Sequence, residues 1–416
     1  MKKSLKVIIG LCLVSLMSFS MVAAARKPVK VTFWQLADRK EYYDCVVADF
    51  NKEHSDVRVE MAFFSTDGMK ENLKVAAASN SLPTMWFNWG GTLGSFYPEN
   101  GLAYDLTTFA KENKWADKFL PATLELSTYN GKLYGYPLTI NMMGVFYNKD
   151  AFAACGLTPP RTFSEFENVL KVLKENGYTP LSLGGKYGWH LMRLTEALIE
   201  MYAGAEVHDQ LNNLEAKWTH PGVVKAYEKY KEFVEKGYFL DGFIALDPAN
   251  MWNPIFAGKT VLTIEGQWAP SSVLTAAQPL EKYGYFYLPL SKKGSRISSF
   301  VEMVQFSARL SKEELKAAVK FLDYCFSDKV IKKYPTLTKY PTAYKNGYLP
   351  SEYAVVNEMI SDMNEYGAFT ITDQALPQEI VNKLFYTQDM IAIGSMTPKQ
   401  AAEYMQKEIE MYKKLK

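Results

Sequence analysis

The strongest constraint on this fold is the alternation of strand-like and helix-like stretches between residues 29 and 87. Val29–Trp34 reads as a strand. Arg39–His54 follows with apolar Tyr43, Val46, Val47 and Phe50 at helical spacing. Val57–Met61 is a second strand, Asp67–Ser79 a second helix carrying Met69, Leu73 and Ala76, and Thr84–Phe87 a third strand. Strands and helices in strict alternation point to a parallel sheet with helices on its faces, an α/β fold. In such sheets ligands sit beyond the carboxyl ends of the strands, where the strand order reverses. Three such ends are Trp34-Gln35, Phe64-Ser65 and Phe87-Asn88-Trp89.

The pattern changes after residue 120. Asn130-Gly131 marks a tight turn between Leu126–Tyr129 and Lys132–Tyr136, and an extended run follows Pro137 through Asn141 to Tyr147. Thr162-Phe163-Ser164-Glu165 has capping-box spacing and opens a helix with Phe166, Val169, Leu170 and Leu173 inward, ended by Gly177. Further helices start at Thr219-His220-Pro221, at Ser311 with Glu314, and at Thr397-Pro398; strands are expected at Thr260–Ile264 and Phe300–Ala308. The 416 residues exceed the roughly 250–300 that one hydrophobic core organises, so two lobes are expected. Extended crossings near Asn141–Val145 and Phe300–Gln305 would join them.

The first residues, Met-Lys-Lys-Ser-Leu-Lys, are basic, and an uncharged apolar run continues to Ala25 with small residues at 23 and 25. That order predicts a secretory signal cleaved near Ala25, rather than a retained anchor. Cys12 lies mid-run behind Leu11, which argues against lipid attachment. Loss of Lys2, Lys3 and Lys6 leaves 44 basic against 45 acidic side chains, a net charge of −1. Such a balance gives no electrostatic case for nucleic acid or anionic membrane as partner. Cys45, Cys155 and Cys325 lie among apolar neighbours, allow at most one disulfide, and read more simply as buried thiols.

Aromatic residues make up 14% of the chain, with 27 Tyr and 8 Trp, and most of these belong in a core. Trp34, Trp86, Trp89, Trp189 and Trp268 differ in lying where an element gives way to a loop, the place where binding residues collect. Several have a polar neighbour: Trp34-Gln35, Asn88-Trp89, Trp189-His190 and Glu265 three residues before Trp268. A flat apolar ring beside a hydrogen-bonding group suits a sugar, whose C–H faces are apolar and whose rim is hydroxylated. Gln35 is a stronger polar candidate than Trp34 is an aromatic one, because strand ends face the crevice. Asp38 and Asp67 precede helices and read better as N-caps.

Two longer pieces carry a family resemblance. One is Asn130-Gly-Lys-Leu-Tyr-Gly-Tyr-Pro-Leu-Thr, continuing to Gly144-Val-Phe-Tyr-Asn-Lys-Asp150, then Cys155-Gly-Leu-Thr-Pro-Pro. The other is Phe256-Ala-Gly-Lys-Thr-Val-Leu-Thr-Ile-Glu-Gly-Gln-Trp268. With the opening Val-Thr-Phe-Trp, their order and spacing resemble the family 1 extracellular solute-binding proteins, the carbohydrate-uptake group. The likeness weakens after about Tyr334, where Lys339-Tyr-Pro-Thr-Ala-Tyr replaces the usual loop. The resemblance implies a two-lobed periplasmic-binding-protein-like fold of type II with a ligand cleft between the lobes. The first lobe would be residues 26–141 plus 305–333, and the second 142–304 plus 334–416. It also implies a carbohydrate ligand, the membrane permease of an ABC importer as partner, a monomeric periplasmic protein, and no cofactor. By the same likeness Asn141 would be a polar contact at the first hinge, Trp268 a stacking tryptophan, and Trp189 a residue of the cleft edge. Glu265 and Glu302 could accept sugar hydroxyls or brace the hinge.

Two other function classes compete. A secreted carbohydrate-active hydrolase would use two carboxyl groups, and Glu265 with Glu302 is the pair to nominate. A receptor for a peptide or polyamine would need carboxylates clustered among the aromatics; the candidates here are richer in amides and tryptophans. His54, His190, His208 and His220 lack metal-ligand spacing. Gly258-Lys259-Thr260 imitates half a phosphate loop, but Asn253 stands where a glycine is required and a strand follows, so it reads as a turn.

Overall fold

The computed structural model describes residues 27–289, 296–334, 342–347 and 354–415. The expected signal run and residues 335–341 lie outside them. The first five expected elements are present with small shifts at their ends. They are β1 (Val29–Leu36), a helix at Lys40–Glu53, β2 (Val57–Phe64), a helix at Thr66–Ala78, and β3 (Met85–Trp89). β1 pairs parallel with both β2 and β3. Val31, Phe33, Val46, Phe50, Met69 and Leu73 are buried between sheet and helices, as alternation along strands and helical spacing require.

The Asn130-Gly131 turn closes a short hairpin, β4 (Thr128–Tyr129) with β5 (Lys132–Leu133). Both turn residues have positive φ, +48° and +74°, the conformation a two-residue hairpin turn of the mirror-image type demands. The long strand β6 (Tyr136–Asn148) then changes partners along its length. From Tyr136 to Met142 it runs antiparallel to β10 (Ile297–Phe306), and from Met143 to Tyr147 antiparallel to β8 (Thr260–Gly266). β7 (Thr179–Leu181) lies parallel to β8, β9 (Tyr283–Phe286) pairs with β6, and β11 (Ala368–Thr370) runs parallel to the start of β10. β10 also pairs antiparallel with β3. The strand order β2-β1-β3-β10-β6-β8-β7 therefore joins a parallel block on one side to a second block on the other through β6 and β10.

The helix caps follow the sequence. Thr162 Oγ1 accepts from the Glu165 amide, and Ser311 with Glu314 forms a complete reciprocal box at the start of Lys312–Cys325. Two expected caps are corrected. Ser65, not Asp67, caps the second helix by accepting from the Gly68 amide, because it is the residue with extended backbone there. Arg39, not Asp38, is the N-cap position of Lys40–Glu53, since Ala37–Arg39 form a separate 3-10 turn. Cys45, Cys155 and Cys325 are free thiols, but only Cys325 is buried as expected; Cys45 and Cys155 are half-buried, the one within Lys40–Glu53 and the other at the C-terminal end of the short helix Lys149–Ala154. Gly258 has φ +68° and simply turns the chain into β8.

Candidate functional site

A cleft of about 370 Å³ opens where the carboxyl ends of β1, β2 and β3 face the end of β8. One wall is Leu36, Arg39, Thr66, Asp67, Lys70 and Trp89; the other is Trp189, Arg193, Trp252, Glu265 and Trp268. Phe300 and Glu302 of β10 lie between them, and Asp373 and Gln374 enter from the chain after β11. That volume falls in the range of roughly 300–1,000 Å³ typical of small-molecule sites.

Arg193 is the hub of the second wall. It lies one turn along the helix Trp189–Ala203, so residues 189 and 193 share a face. Its Nη1 donates to the Ile264 carbonyl (2.8 Å) and to Glu265 Oε2 (2.9 Å). The guanidinium lies 4.7 Å from the Trp189 ring centre and 5.3 Å from that of Trp268. The Trp268 indole N–H donates to the same Glu265 oxygen at 2.8 Å. Across the cleft, Lys70 Nζ is 5.1 Å from the Trp89 ring centre and 5.8 Å from that of Trp189. Indoles and cations thus alternate from wall to wall in the order Trp89, Lys70, Trp189, Arg193, Trp268. Each such contact is attractive because the ring face is electron-rich.

Glu302, on the crossing strand, accepts from Arg39 Nη2 at 2.5 Å. Burial pushes its carboxyl above the usual range, and Arg39 pulls it back by charge and hydrogen bonding. Burial likewise raises Asp373, opposed by the charges of Lys70 and Arg193. His190 is held neutral, its pKa driven well down by burial and then by Arg193.

Of the ten residues proposed from sequence, Trp89, Trp189, Glu265, Trp268 and Glu302 line this cleft together. The other five do not. Trp34 packs its ring against Phe64 at 4.9 Å. Gln35 is fully buried and points the other way, donating to Tyr43 and accepting from the Leu36 amide. β1 runs to Leu36, so the strand end falls beyond Gln35, and Leu36 faces the opening instead. Asn88 is buried against Gln305, and its own Oδ1 accepts from the Trp89 amide. His190 sits behind Glu265, accepting from the Gly184 amide at Nδ1. Asn141 is fully buried beside Glu302 and favours its ionised form, although neither amide atom has a well-formed hydrogen bond among the described residues. Arg39, Lys70, Arg193 and Asp373 were missed. Arg193 stands four residues after Trp189, a spacing that becomes informative only once the stretch is known to be helical; Asp373 carried no signal.

Comparison with known proteins supplies the family. The model described as bacterial extracellular solute-binding protein matches residues 33–332. The chain belongs to that family. Among its relatives, an uncharacterized ABC transporter extracellular-binding protein of Pyrococcus horikoshii is 26% identical over 245 residues, 58% of this chain and 56% of that protein. This chain therefore spans little more than half of that relative. The multiple sugar-binding protein of Streptococcus mutans is 26% identical over 347 residues, 78% of this chain and 77% of the other. The galactooligosaccharide-binding protein of Bacillus subtilis is 23% identical over 398 residues, 92% and 89% respectively. A solved chitin oligosaccharide binding protein superposes with a TM-score of 0.82 at 25% identity, covering 92% of this chain and 99% of that one. A solute receptor with a galactopyranose preference shares the fold at a TM-score of 0.80 and 16% identity, over 93% of this chain and 98% of its own. The solute-binding fold of this family is thus the two-lobed type II arrangement that β6 and β10 join here.

Proposed function

We propose that this solute-binding protein captures a sugar or oligosaccharide in the cleft and hands it to the membrane permease of an ABC importer. The observation that carries this is the convergence of Trp89, Trp189 and Trp268 from opposite walls, with carboxylates and cations between them. Indole faces suit the C–H faces of sugar rings, and the charged groups suit hydroxyls at the rim. The names of the relatives, sugar-binding and galactooligosaccharide-binding, support the same reading.

In this reading the lobes divide within β6 near Asn141 and within β10 near Gln305. Thr342–Gly347 stays with the first lobe, because Ala343 bonds the backbone of Leu120 and Leu138. A ligand touching both walls stabilises the closed arrangement by its differential contacts. The protein is exported to the periplasm, cleaved near Ala25, works as a monomer, and catalyses no reaction. For the hydrolase alternative, Glu265 and Glu302 are each tied to an arginine, Arg193 and Arg39, which suits a binding group better than a general acid.

A thermal-shift screen against galactose, lactose, raffinose, xylobiose and N,N′-diacetylchitobiose tests the proposal. At least one should raise the melting temperature by mass action, without release of product. Trp268→Ala should then weaken binding by more than about 1 kcal/mol in calorimetry. Sugar binding untouched by that change would remove the stacking role, and a panel without any shift would remove the sugar.

A further inference from the structure

We infer that Asp373, with Lys70 and Arg193, forms the polar grip of the cleft and takes two neighbouring hydroxyls of one sugar ring. This rests on the carbohydrate reading above and adds the residues that hold the rim of the ring. Asp373 lines the cleft at 8% exposure; its own backbone amide favours the ionised carboxylate, yet Oδ1 has no well-formed hydrogen bond among the described residues. A buried carboxylate oxygen without a donor is costly, and such groups mark places where something else must supply one.

The backbone that carries the carboxylate is fixed in place. It sits in the one-turn helix Thr372–Ala375, which is pinned from three sides. The Thr372 amide donates to Glu196 Oε2 at 2.8 Å, Gln378 Nε2 donates to the Asp373 carbonyl at 2.7 Å, and Thr92 Oγ1 donates to the Leu376 carbonyl at 2.7 Å. Close behind, the Cβ position of Gly91 is already filled by the Gln374 carbonyl, 2.2 Å away. The backbone bearing this group is therefore held at the cleft wall, which lowers the ordering cost of a binding contact there.

Its neighbours supply the complementary half. Lys70 and Arg193 come from opposite walls, and both charges act on Asp373. The bond from Lys70 to Asp67 is long, 3.4 Å, and Arg193 Nε has no partner among the described residues. A carboxylate only accepts, whereas ammonium and guanidinium only donate. A vicinal diol matches that set: one hydroxyl donates to Asp373, and the oxygen of the next accepts from Lys70 or Arg193. An acidic sugar is disfavoured, since Asp67, Glu265, Glu302 and Asp373 all line the same space. A deoxy or acetamido substituent at either position breaks the match.

The test compares wild type, Asp373→Asn and Lys70→Gln by calorimetry, using whichever of the five sugars above binds wild type, together with its monodeoxy derivatives. D373N should weaken the parent sugar roughly ten- to a hundredfold, the value of a hydrogen bond to a charged group. Its ligand-free melting temperature should stay level or rise, because a buried charge is relieved. One monodeoxy sugar should bind wild type with a comparable loss and show little further loss with D373N. K70Q, at a half-buried helix position, should weaken the same sugars and serves if D373N does not fold. Parent-sugar affinity within twofold of wild type in D373N, or in K70Q where D373N does not fold, overturns the inference while leaving the carbohydrate reading intact. A fall in the ligand-free melting temperature of D373N with affinity retained would make Asp373 a structural residue. If none of the five sugars binds wild type, the carbohydrate reading falls first and the grip with it.

Discussion

The Arg193–Glu265 pair offers a quantitative test of how the second wall is held. Both side chains are 6% exposed and their atoms are 2.9 Å apart. At an effective dielectric near 20 their attraction is about 6 kcal/mol, most of it offset by the cost of removing both charges from water. Removing one partner leaves that cost without its compensation. Arg193→Met, which keeps the apolar stem, should therefore destabilise the protein by about 3–5 kcal/mol. Glu265→Gln should cost somewhat less, because an amide oxygen can still accept from the Trp268 indole and the Arg193 guanidinium. The double variant should recover much of the loss, leaving a coupling energy of at least about 1.5 kcal/mol, well above the roughly 0.5 kcal/mol at which independent sites add. Urea denaturation followed by far-ultraviolet circular dichroism, at pH 7 and in both low and 1 M salt, gives all four corners of the cycle. The coupling should survive salt, since a buried pair is poorly screened. Additive single effects, or an R193M cost below about 1 kcal/mol, would mean that the pair does not carry the wall.

Other expectations follow from single contacts. Burial pushes Glu196 up to about 8, against hydrogen bonds from Ser298 and the Thr372 amide. A carboxyl whose folded pKa is raised binds its proton more tightly when folded, so stability falls as pH rises from the ordinary glutamate range through about 8. Glu196→Gln, which mimics the protonated form, should flatten that part of the stability–pH curve; an unchanged slope between pH 6 and 9 would refute it. Gly91→Ala should be strongly destabilising in thermal melts, since φ there is +63° and the new methyl would meet the Gln374 carbonyl. Ser311→Ala removes one half of a capping box and should cost about 1 kcal/mol in denaturant titration.

Local signals in the sequence were sufficient for much of the fold. The β1–β3 block and its two helices were legible because each buries one face and alternates or repeats accordingly. The Asn130-Gly131 turn and the Ser311 cap were legible because their chemistry is specific. β10 begins at Ile297, three residues before the expected start, since Ser298 and Ser299 are buried and hydrogen-bonded despite reading as loop. The helix Trp189–Ala203 escaped because it is buried almost all round, with Arg193, Glu196 and Glu200 inside, so no apolar stripe marks it. The cleft was half legible. Tryptophans at element ends pointed toward it, but the residues that neutralise one another there come from helices and crossings far apart in the chain. Arg39 meets Glu302 across 263 positions, and nothing local announces such a pair.

The β6–β10 seam has a consequence for how this protein can change. The register slips between Glu302 and Met303, so the ladder that ties the halves together is interrupted at the residue that also fronts the ligand space. If the halves articulate along this seam, as proposed above, articulation and recognition would share that side chain. Swapping Glu302 to accommodate a different guest would also reset how readily the two halves swing, so new specificity should be easier to acquire at Trp268 or Asp373 than at that junction.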